Sequence, residues 1–332
     1  MLIDPGYKIN NLSNQLEASN YEPSVSLERS CIFGLDCLDD GLKRIFSDDL
    51  ILIGAPTGMG KTQLCAHLAV ENAKIGKKVY YVALEASENE IKDRILYRLY
   101  TKHYFDDEFR QFTKVDVNFI NWSCGELNEV FLKYKVSIES EMQDYPERIK
   151  IITRTKEFSI KTLEKLNNIA KVDKPDLYII DHAHYFDYDT TNDNKALKDI
   201  TMACRDITQL HGIPVVLIAH LRKKSKDSDA VAGLEEFHGS SDLTKIATRV
   251  ITLSQGAARD KLIQTFFRVS KDRRGSQLTR YITVCEYNLD LQSYDKSNYY
   301  IGKFDTNKLF QPVSNEERPG WAINSTPMLA RM

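Results

Sequence analysis

The chain has 332 residues, of which 42% are hydrophobic and 28% charged, and its formal net charge is −2. This length suits one large α/β domain with appendages or two modest domains. The charge excludes a protein-wide basic field, so a nucleic-acid partner would need a local basic patch. The six cysteines form no C-x-x-C pair, which predicts buried, reduced thiols. No run approaches the ~18 apolar residues of a membrane span and no signal pattern is present, so we expect a cytoplasmic protein that has no membrane partner.

Both ends of the chain are predicted to lie outside the main domain. Residues 1–30 are polar and rich in Asn and Ser, which indicates either an extended arm that docks on a neighbouring subunit or a frayed terminus. Residues 306–332 carry Pro312, Pro319 and Pro327 and are predicted to form a loosely held tail. Residues 31–305 are therefore assigned to the globular domain, in which a turn and a short helix at 33–42 precede the first core strand.

A glycine-rich segment lies between a predicted strand and a predicted helix. Residues 54–62 read Gly-Ala-Pro-Thr-Gly-Met-Gly-Lys-Thr and follow the apolar run 50–53. Glycines let backbone N–H groups converge on phosphate oxygens, and the helix N-terminus adds positive potential. In this pattern Lys61 reaches the terminal phosphates and the Thr62 hydroxyl binds Mg²⁺. We predict a nucleotide-binding loop, although Ala55 occupies the first glycine position of the G-x-x-x-x-G-K-[ST] pattern, directly after Gly54.

Apolar runs of strand length alternate with segments of helical periodicity through the rest of the domain. The predicted strands are 79–84, 149–152, 177–180 and 215–219, followed by β-rich runs at 250–253, 265–269 and 281–286. Helices are predicted from the phosphate loop to Gly76, around 91–99, from Ser159 to about 169, and over 196–211, whereas residues 101–150 fix no helical register. The predicted fold is α/β: a mostly parallel sheet with helices on both faces and antiparallel strands at one edge.

Three polar residues directly follow predicted strands: Glu85, Asp181 and His220. Because active sites of parallel sheets lie at the carboxyl ends of the strands, we expect these side chains beside the phosphate loop. Asp181 is predicted to bind Mg²⁺ through water, and Glu85 to orient and deprotonate the attacking water. His220 is predicted to hydrogen-bond the γ-phosphate and to report hydrolysis to the loop that follows.

Three other segments have more than one interpretation. The basic loop that contains Arg222 and Lys226 suits contact with a nucleic-acid backbone or, equally, is a solvated charge run. The turn at residues 271–275 either completes a neighbouring subunit's site with an arginine finger or is a surface turn. His182 and His184 are interpreted as structural, since their i, i+2 spacing lacks the Cys or carboxylate partners of a metal site.

Together these motifs resemble the RecA-type motor domain of hexameric replicative helicases of the DnaB and Twinkle type (superfamily 4), most closely the helicase half of phage primase-helicases. The resemblance covers roughly residues 31–292. It rests on the lead-in Phe33–Asp39, the catalytic-glutamate motif Leu84–Ser87, the Walker-B residues Ile180–His182, the sensor motif Ile213–Leu221 and the later motif 238–247.

The resemblance implies an ATP- and Mg²⁺-dependent helicase that forms a homo-oligomeric, hexameric ring on single-stranded DNA, moves 5′ to 3′, and works with primase or other replication proteins. We expect a helicase without a primase domain, from a bacterial or phage-infected cell. The implied catalytic residues are Glu85, Lys61, His220, Lys271 and Arg273. The implied nucleotide-binding residues are Gly58, Gly60, Lys61, Thr62, Gln63 and Tyr287, whose ring would stack on the base; Thr62 and Asp181 would hold the metal. The implied DNA contacts are Arg222, Lys226, Gly239 and Ser240.

Two positions depart from the family pattern. Thr248 stands in place of an acid, and Gln255 stands in place of an arginine beside the base.

Two other functions fit the same residues. The first is a RecA-like single-strand DNA-binding or recombination ATPase, which would form open filaments rather than closed rings. The second is a non-translocating regulatory ATPase with a protein partner, whose hydrolysis single-stranded DNA would not stimulate.

Overall fold

The computed structural model describes residues 27–105, 118–126, 136, 139–140, 143–153, 161–186, 193–221, 231, 237, 241–305, 309–322 and 325. Within them, the strands are β1 (Leu50–Ala55), β2 (Val79–Ala83), β3 (Ile149–Thr153), β4 (Leu177–Asp181), β5 (Val215–His220), β6 (Arg249–Arg259), β7 (Leu262–Asp272), β8 (Ile282–Asn288), β9 (Ser293–Phe304) and β10 (Phe310–Pro312). The α-helices are α1 (Asp36–Leu42), α2 (Lys61–Lys74), α3 (Glu88–Phe105), α4 (Phe119–Ser123), α5 (Tyr145–Arg148), α6 (Lys161–Val172), α7 (Asp193–His211) and α8 (Ser241–Ile246).

All of these strands belong to one sheet, in the order β10-β9-β8-β7-β6-β1-β5-β4-β2-β3. The strands from β6 to β3 in this order pair in parallel, and those from β6 to β10 pair antiparallel. The predicted fold class, a mostly parallel sheet closed at one edge by antiparallel strands, is confirmed.

The central strands are buried on both faces because helices cover both sides of the sheet. Every residue of β1, β2 and β4 is buried, which agrees with their continuous apolar sequences. One apolar core contains side chains of α1, α2 and α3, and a second core on the opposite face contains side chains of α6, α7 and α8. Five of the six cysteines are buried, as predicted, whereas Cys124 is exposed. Among the described helices, none has the length and apolar character needed to cross a bilayer.

The parallel register aligns the carboxyl ends of four strands. Ala55 of β1 pairs with His220 of β5, and Ala83 of β2 pairs with Asp181 of β4. Glu85 follows β2 two residues later. The strand ends that carry the predicted site residues therefore meet at one edge of the sheet.

The antiparallel part of the sheet is larger than the sequence predicts. β6 and β7 each span 11 residues, and β9 and β10 were not predicted at all. β10 pairs with β9 inside the segment expected to be a loose tail. Ala322 and Ser325 are also buried. The described part of residues 306–332 is therefore packed against the domain.

Gly54 of β1 lies where another part of the chain approaches closely. A Cβ atom at this position would lie 2.5 Å from the Phe237 ring and 2.7 Å from Leu221 Cδ2. Leu221 and Phe237 pair with each other through an isolated antiparallel bridge. The glycine before Ala55 therefore leaves room for the two residues that flank the segment 222–236.

We expect Gly54→Ala to destabilise the protein by about 1–3 kcal/mol because the methyl group overpacks this contact. The free energy of unfolding in urea measures the effect. The matched control is Gly256→Ala in β6, where a Cβ would meet no atom closer than 3.6 Å. Phe237→Leu in the Gly54→Ala background should reduce the loss below the sum of the single variants. A stable Gly54→Ala variant would contradict this account of the contact.

Candidate nucleotide-binding site

The phosphate loop has the backbone that its glycines predict. Gly58 and Gly60 have φ values of 81° and 83°, and Gly60 immediately precedes the first turn of α2. Other residues rarely adopt this left-handed conformation. The loop thus presents the N-terminus of α2 towards the site, where backbone N–H groups favour an anion.

Lys61 is buried at the base of this loop. Its Nζ atom donates hydrogen bonds to the carbonyl oxygens of Ala55 and Pro56 at 3.1 and 2.9 Å. Burial lowers the pKa of Lys61, and the carboxylates of Asp181 and Glu85 oppose that shift by favouring the ammonium form. The side chain is thus held beside the phosphate loop.

Asp181 joins three elements through one carboxylate oxygen. Its Oδ2 accepts hydrogen bonds from the Thr62 hydroxyl at 3.1 Å and from the Tyr81 hydroxyl at 2.9 Å. Burial raises the pKa of Asp181, and these two hydrogen bonds oppose the rise. Among the described residues, the buried Oδ1 atom has no hydrogen-bond partner. An oriented carboxylate oxygen beside a threonine hydroxyl is the donor set that Mg²⁺ prefers, so Thr62 and Asp181 fit the predicted metal.

Glu85, His182 and His220 form a second cluster beside Asp181. The rings of His182 and His220 meet edge to face, with their centroids 4.0 Å apart. His182 Nε2 lies 3.1 Å from Oε2 of Glu85. Burial lowers the pKa of His182 to about 2, assisted by His220, His184 and Lys61, and burial beside Lys61 lowers that of His220 to about 4. Both imidazoles are therefore neutral at pH 7.

These elements enclose a cavity of about 240 Å³. It is lined by the predicted residues Gly58, Gly60, Lys61, Thr62, Gln63, Glu85 and His220. Two further lining residues, Glu90 and Arg94, were missed by the sequence analysis. Arg94 donates to Glu90 Oε1 from Nη2 at 3.0 Å, one helical turn along α3. Their i, i+4 spacing directly after the Glu85 motif was the available signal.

Lys271 and Arg273 do not reach this cavity. Asp272 pairs with Arg249, which itself lies beside Ile51 near the start of β1. The length of β1, roughly 16 Å at about 3.3 Å per residue, separates them from the phosphate loop. The Lys271 ammonium donates to the carbonyl oxygens of Thr244, Lys245 and Ala247, and Arg273 donates to that of Lys245. Both cations lie at the carboxyl end of α8. This is the end of the sheet at which β1 starts, whereas the cavity lies at the end at which β1 finishes.

The prediction that Tyr287 stacks on the base does not fit the structure. Its ring is 1% exposed and packs edge-on against Tyr294, and its hydroxyl donates to Oε1 of Gln292 at 3.0 Å. A buried ring cannot offer a face to a base. Gln255, in contrast, lies directly against the phosphate loop, because a Cβ on Gly60 would sit 2.8 Å from its Nε2.

The four predicted DNA contacts, Arg222, Lys226, Gly239 and Ser240, lie outside the described residues. The structure does place the residues at their borders. The backbone N–H of Leu221 donates to the carbonyl oxygen of Ala55 at 3.5 Å. The segment 222–236 thus begins and ends beside the phosphate-loop strand.

A family model for the DnaB-like helicase C-terminal domain matches residues 31–285. The chain belongs to this family. Among solved structures, a DnaB-like replicative helicase, reported with its interactions with primase, matches at 13% identity with a TM-score of 0.61 over 83% of this chain. A second solved structure, an ATPase domain, matches at 14% identity with a TM-score of 0.58, over 79% of this chain and 89% of that one. No curated protein matches the chain.

Membership of the DnaB-like family agrees with the fold found here. The two structural likenesses show a shared RecA-like fold, with the phosphate loop between a central strand and α2. The chain spans 64% of the length of the DnaB-like replicative helicase that it matches, which is less than two thirds. The likeness therefore extends to the shared fold, and not to the activity or partners of that longer protein.

The two low histidine pKa values predict how stability depends on pH. An imidazole in the unfolded chain has a pKa near 6.5, so below that pH the unfolded chain takes up protons before the folded protein does. The contribution of the two neutral imidazoles to the free energy of unfolding should therefore be fully present above about pH 6.5 and should decrease as the pH drops towards 4. Urea unfolding of wild type and His220→Gln tests this, and the variant should lose less stability on acidification.

Comparison with the variant is needed because Asp39 acts in the opposite sense. Burial raises the pKa of Asp39 to about 6, which adds stability as the pH falls. Asp39 contributes equally to both proteins, so its contribution cancels when the free energy of unfolding of His220→Gln is subtracted from that of wild type at each pH. Equal slopes for the two proteins would show that His220 is not held neutral by its surroundings.

Proposed function

We propose that the chain is an ATP-hydrolysing DNA helicase motor that works on single-stranded DNA as a ring of identical subunits. The observation that carries this proposal is the separation of two groups of charges. Lys61, Thr62, Asp181, Glu85 and His220 surround one cavity, whereas Lys271 and Arg273 lie at the opposite end of the central strand.

Within one subunit, each group at the cavity has a distinct role in hydrolysis. Lys61 and the backbone N–H groups from Gly58 to Thr62 bind the phosphates, and Gln63 lines the same wall. Thr62 and Asp181 would hold Mg²⁺, which would neutralise charge on the phosphate oxygens when bound. Glu85 takes the proton from the attacking water, and neutral His220 donates a hydrogen bond to the γ-phosphate.

Lys271 and Arg273 act on a neighbouring subunit in this proposal. Transition-state charge on a transferring phosphoryl group needs a cation within contact distance, and an arginine supplied in trans contributes about 10³–10⁵ in rate. Neither cation reaches its own cavity, so each needs a second copy. A head-to-tail interface of this kind forms a closed ring when its rotation closes, and a hexamer is the family expectation.

The proposed DNA contact is the segment 222–236, which contains Arg222 and Lys226, together with Gly239 and Ser240 shortly after it. Support comes from its borders: Leu221 follows the sensor His220, and Phe237 packs on Gly54 directly before the phosphate loop. Cations here would neutralise backbone phosphates of any sequence. Gln255 replaces Tyr287 as the proposed residue beside the base.

The proposal also includes the direction of movement, a partner protein and the location in the cell. Movement from 5′ to 3′, a primase partner and a cytoplasmic location rest on the family resemblance. The residues 1–30 are the proposed subunit-linking arm, residues 31–305 the motor domain, and residues 306–332 a C-terminal tail, of which Phe310–Pro312 pairs with β9.

Mixing two inactive variants tests whether neighbouring subunits share sites. Lys61→Ala removes the phosphate contact and Arg273→Ala removes the finger, so each should lower kcat by about 10³ or more when pure. In a random mixture, about a quarter of interfaces join an intact phosphate loop to an intact finger. ATP hydrolysis should therefore return in the mixture.

Arg274→Ala is the matched control for this experiment. Arg274 neighbours Arg273 but pairs with Asp48 on the surface, so its loss should leave hydrolysis near the wild-type rate. Full activity of pure Arg273→Ala, or a mixture as inactive as its components, would rule out the shared site. Electron microscopy of the wild type distinguishes closed rings from the open filaments of a RecA-like binding protein.

A double substitution tests the DNA segment. Arg222→Ala with Lys226→Ala should abolish most stimulation of ATP hydrolysis by single-stranded DNA while leaving basal hydrolysis intact, because both residues are proposed to contact DNA and neither is proposed to contact the nucleotide. The steady-state rate is measured with and without oligonucleotide at several salt concentrations, since phosphate contacts weaken with salt. Unchanged stimulation rejects this assignment, and a wild type without any stimulation favours a regulatory ATPase.

A further inference from the structure

His182 is a fully buried side chain at the centre of the site, and the proposed mechanism leaves it without a role. It follows Asp181 at the end of β4 and is 0% exposed. Its ring packs edge-on against Tyr185, with centroids 4.6 Å apart, and against His220. A buried imidazole needs hydrogen-bond partners for its nitrogen atoms, so the direction of each nitrogen is informative.

The backbone fixes which nitrogen of His182 carries the proton. The N–H of His184 donates to Nδ1 of His182 at 3.3 Å. A backbone N–H only donates, so Nδ1 is the acceptor and a neutral ring carries its proton on Nε2.

The protonated nitrogen faces the proposed catalytic carboxylate. Nε2 lies 3.1 Å from Oε2 of Glu85, a distance suited to an N–H···O hydrogen bond. The two groups are not aligned, and Nε2 has no hydrogen bond to any described residue. The Glu85 side chain is 43% exposed, whereas the His182 ring is fully buried against the rings of Tyr185 and His220. Catalytic hydrogen bonds commonly tighten only when substrate is bound.

We propose that His182 is a positioning residue, whose Nε2–H donates to Oε2 of Glu85 and directs the other carboxylate oxygen towards the attacking water. This inference rests on the proposed role of Glu85 as the base. In the hydrolysis step, the water proton goes to Glu85 and the water oxygen bonds to the γ-phosphorus as the bond to the leaving oxygen breaks. His182 keeps its proton throughout.

A metal ion is the competing explanation for this cluster. Glu85, His182 and His220 each place one potential ligand atom within 4.8 Å of the others. Ligand atoms around tetrahedral Zn²⁺ lie roughly 3.4 Å apart. A metal on Nε2 would, however, move the His182 proton to Nδ1, where it would face the N–H of His184. The backbone contact therefore favours the hydrogen bond.

Nitrogen NMR on ¹⁵N-histidine-labelled, full-length protein tests the contact without any enzymatic readout. His182 should appear as the neutral Nε2–H form, assigned by its absence from His182→Gln, and its Nε2–H resonance should shift in Glu85→Ala. An Nδ1–H form, an unshifted resonance in Glu85→Ala, or conversion to the Nδ1–H form by stoichiometric ZnCl₂ would overturn the proposal. If the wild type lacked ATPase activity, the proposed function would be rejected, but the NMR spectra would still show whether His182 donates to Glu85.

Kinetics then separates positioning from a structural role. His182→Phe removes the donor and should lower kcat roughly ten- to hundredfold with little change in the dissociation constant for a fluorescent ATP analogue. His182→Gln restores an N–H near the position of Nε2 and should stay within a few fold of wild type. His184→Gln, which keeps its backbone N–H, is the matched control.

A double-mutant cycle provides the last constraint. In the Glu85→Ala background, His182→Phe should cause no further loss of kcat, because the group that it positions is absent. An active wild type with unchanged kcat in His182→Phe, or a full additional loss in Glu85→Ala, would overturn the proposal. If His182→Phe does not fold, the activity of His182→Gln and the Glu85→Ala spectrum still decide it.

Discussion

The site depends on one buried carboxylate oxygen. Oδ2 of Asp181 accepts hydrogen bonds from Thr62, in the first turn of α2, and from Tyr81 in β2. A buried carboxylate is costly unless it is hydrogen-bonded or paired with a cation. The two hydroxyls satisfy one oxygen only, and within the described part of the chain Oδ1 gains no partner. The protein itself therefore leaves the charge incompletely compensated, and a divalent cation would complete it.

The sheet places the residues of the cavity at one end of the central strand β1 and the cations Lys271 and Arg273 at the other end. The parallel register brings Glu85, Asp181 and His220 to the phosphate loop, while the antiparallel return of β7 carries Lys271 and Arg273 to the start of β1. Burial, assisted by the nearby guanidinium groups of Arg273 and Arg205, lowers the pKa of Lys271, so the positive charge of Lys271 is disfavoured where it lies. Such charge is stabilised when an anion from outside the subunit approaches it.

The parts of the fold that were predictable share a physical cause. Central parallel strands are buried on both faces, so their sequences are continuous apolar runs that end at a polar site residue, as Leu177–Asp181 does. β9 escaped prediction because an outer antiparallel strand mixes buried and exposed residues, here Ser293–Phe304 with Lys296 and Asn298 among its tyrosines. The prediction for Tyr287 fails for a related reason, because its ring is covered by Tyr294 of β9, the strand that escaped prediction.

His220 lies between the hydrolysis centre and the proposed DNA segment. On one side its ring meets His182, which faces Glu85; on the other, Leu221 follows it directly and bridges to Phe237, which packs on Gly54. Contiguous contacts do not by themselves establish coupling, which requires an element with two alternative arrangements. The contacts do limit where that element lies. Any signal from the γ-phosphate to residues 222–236 along the chain must pass through Leu221 or Phe237, and both pack on the same glycine of β1. One strand, β1, therefore leads into the phosphate loop and contacts both residues that flank the segment.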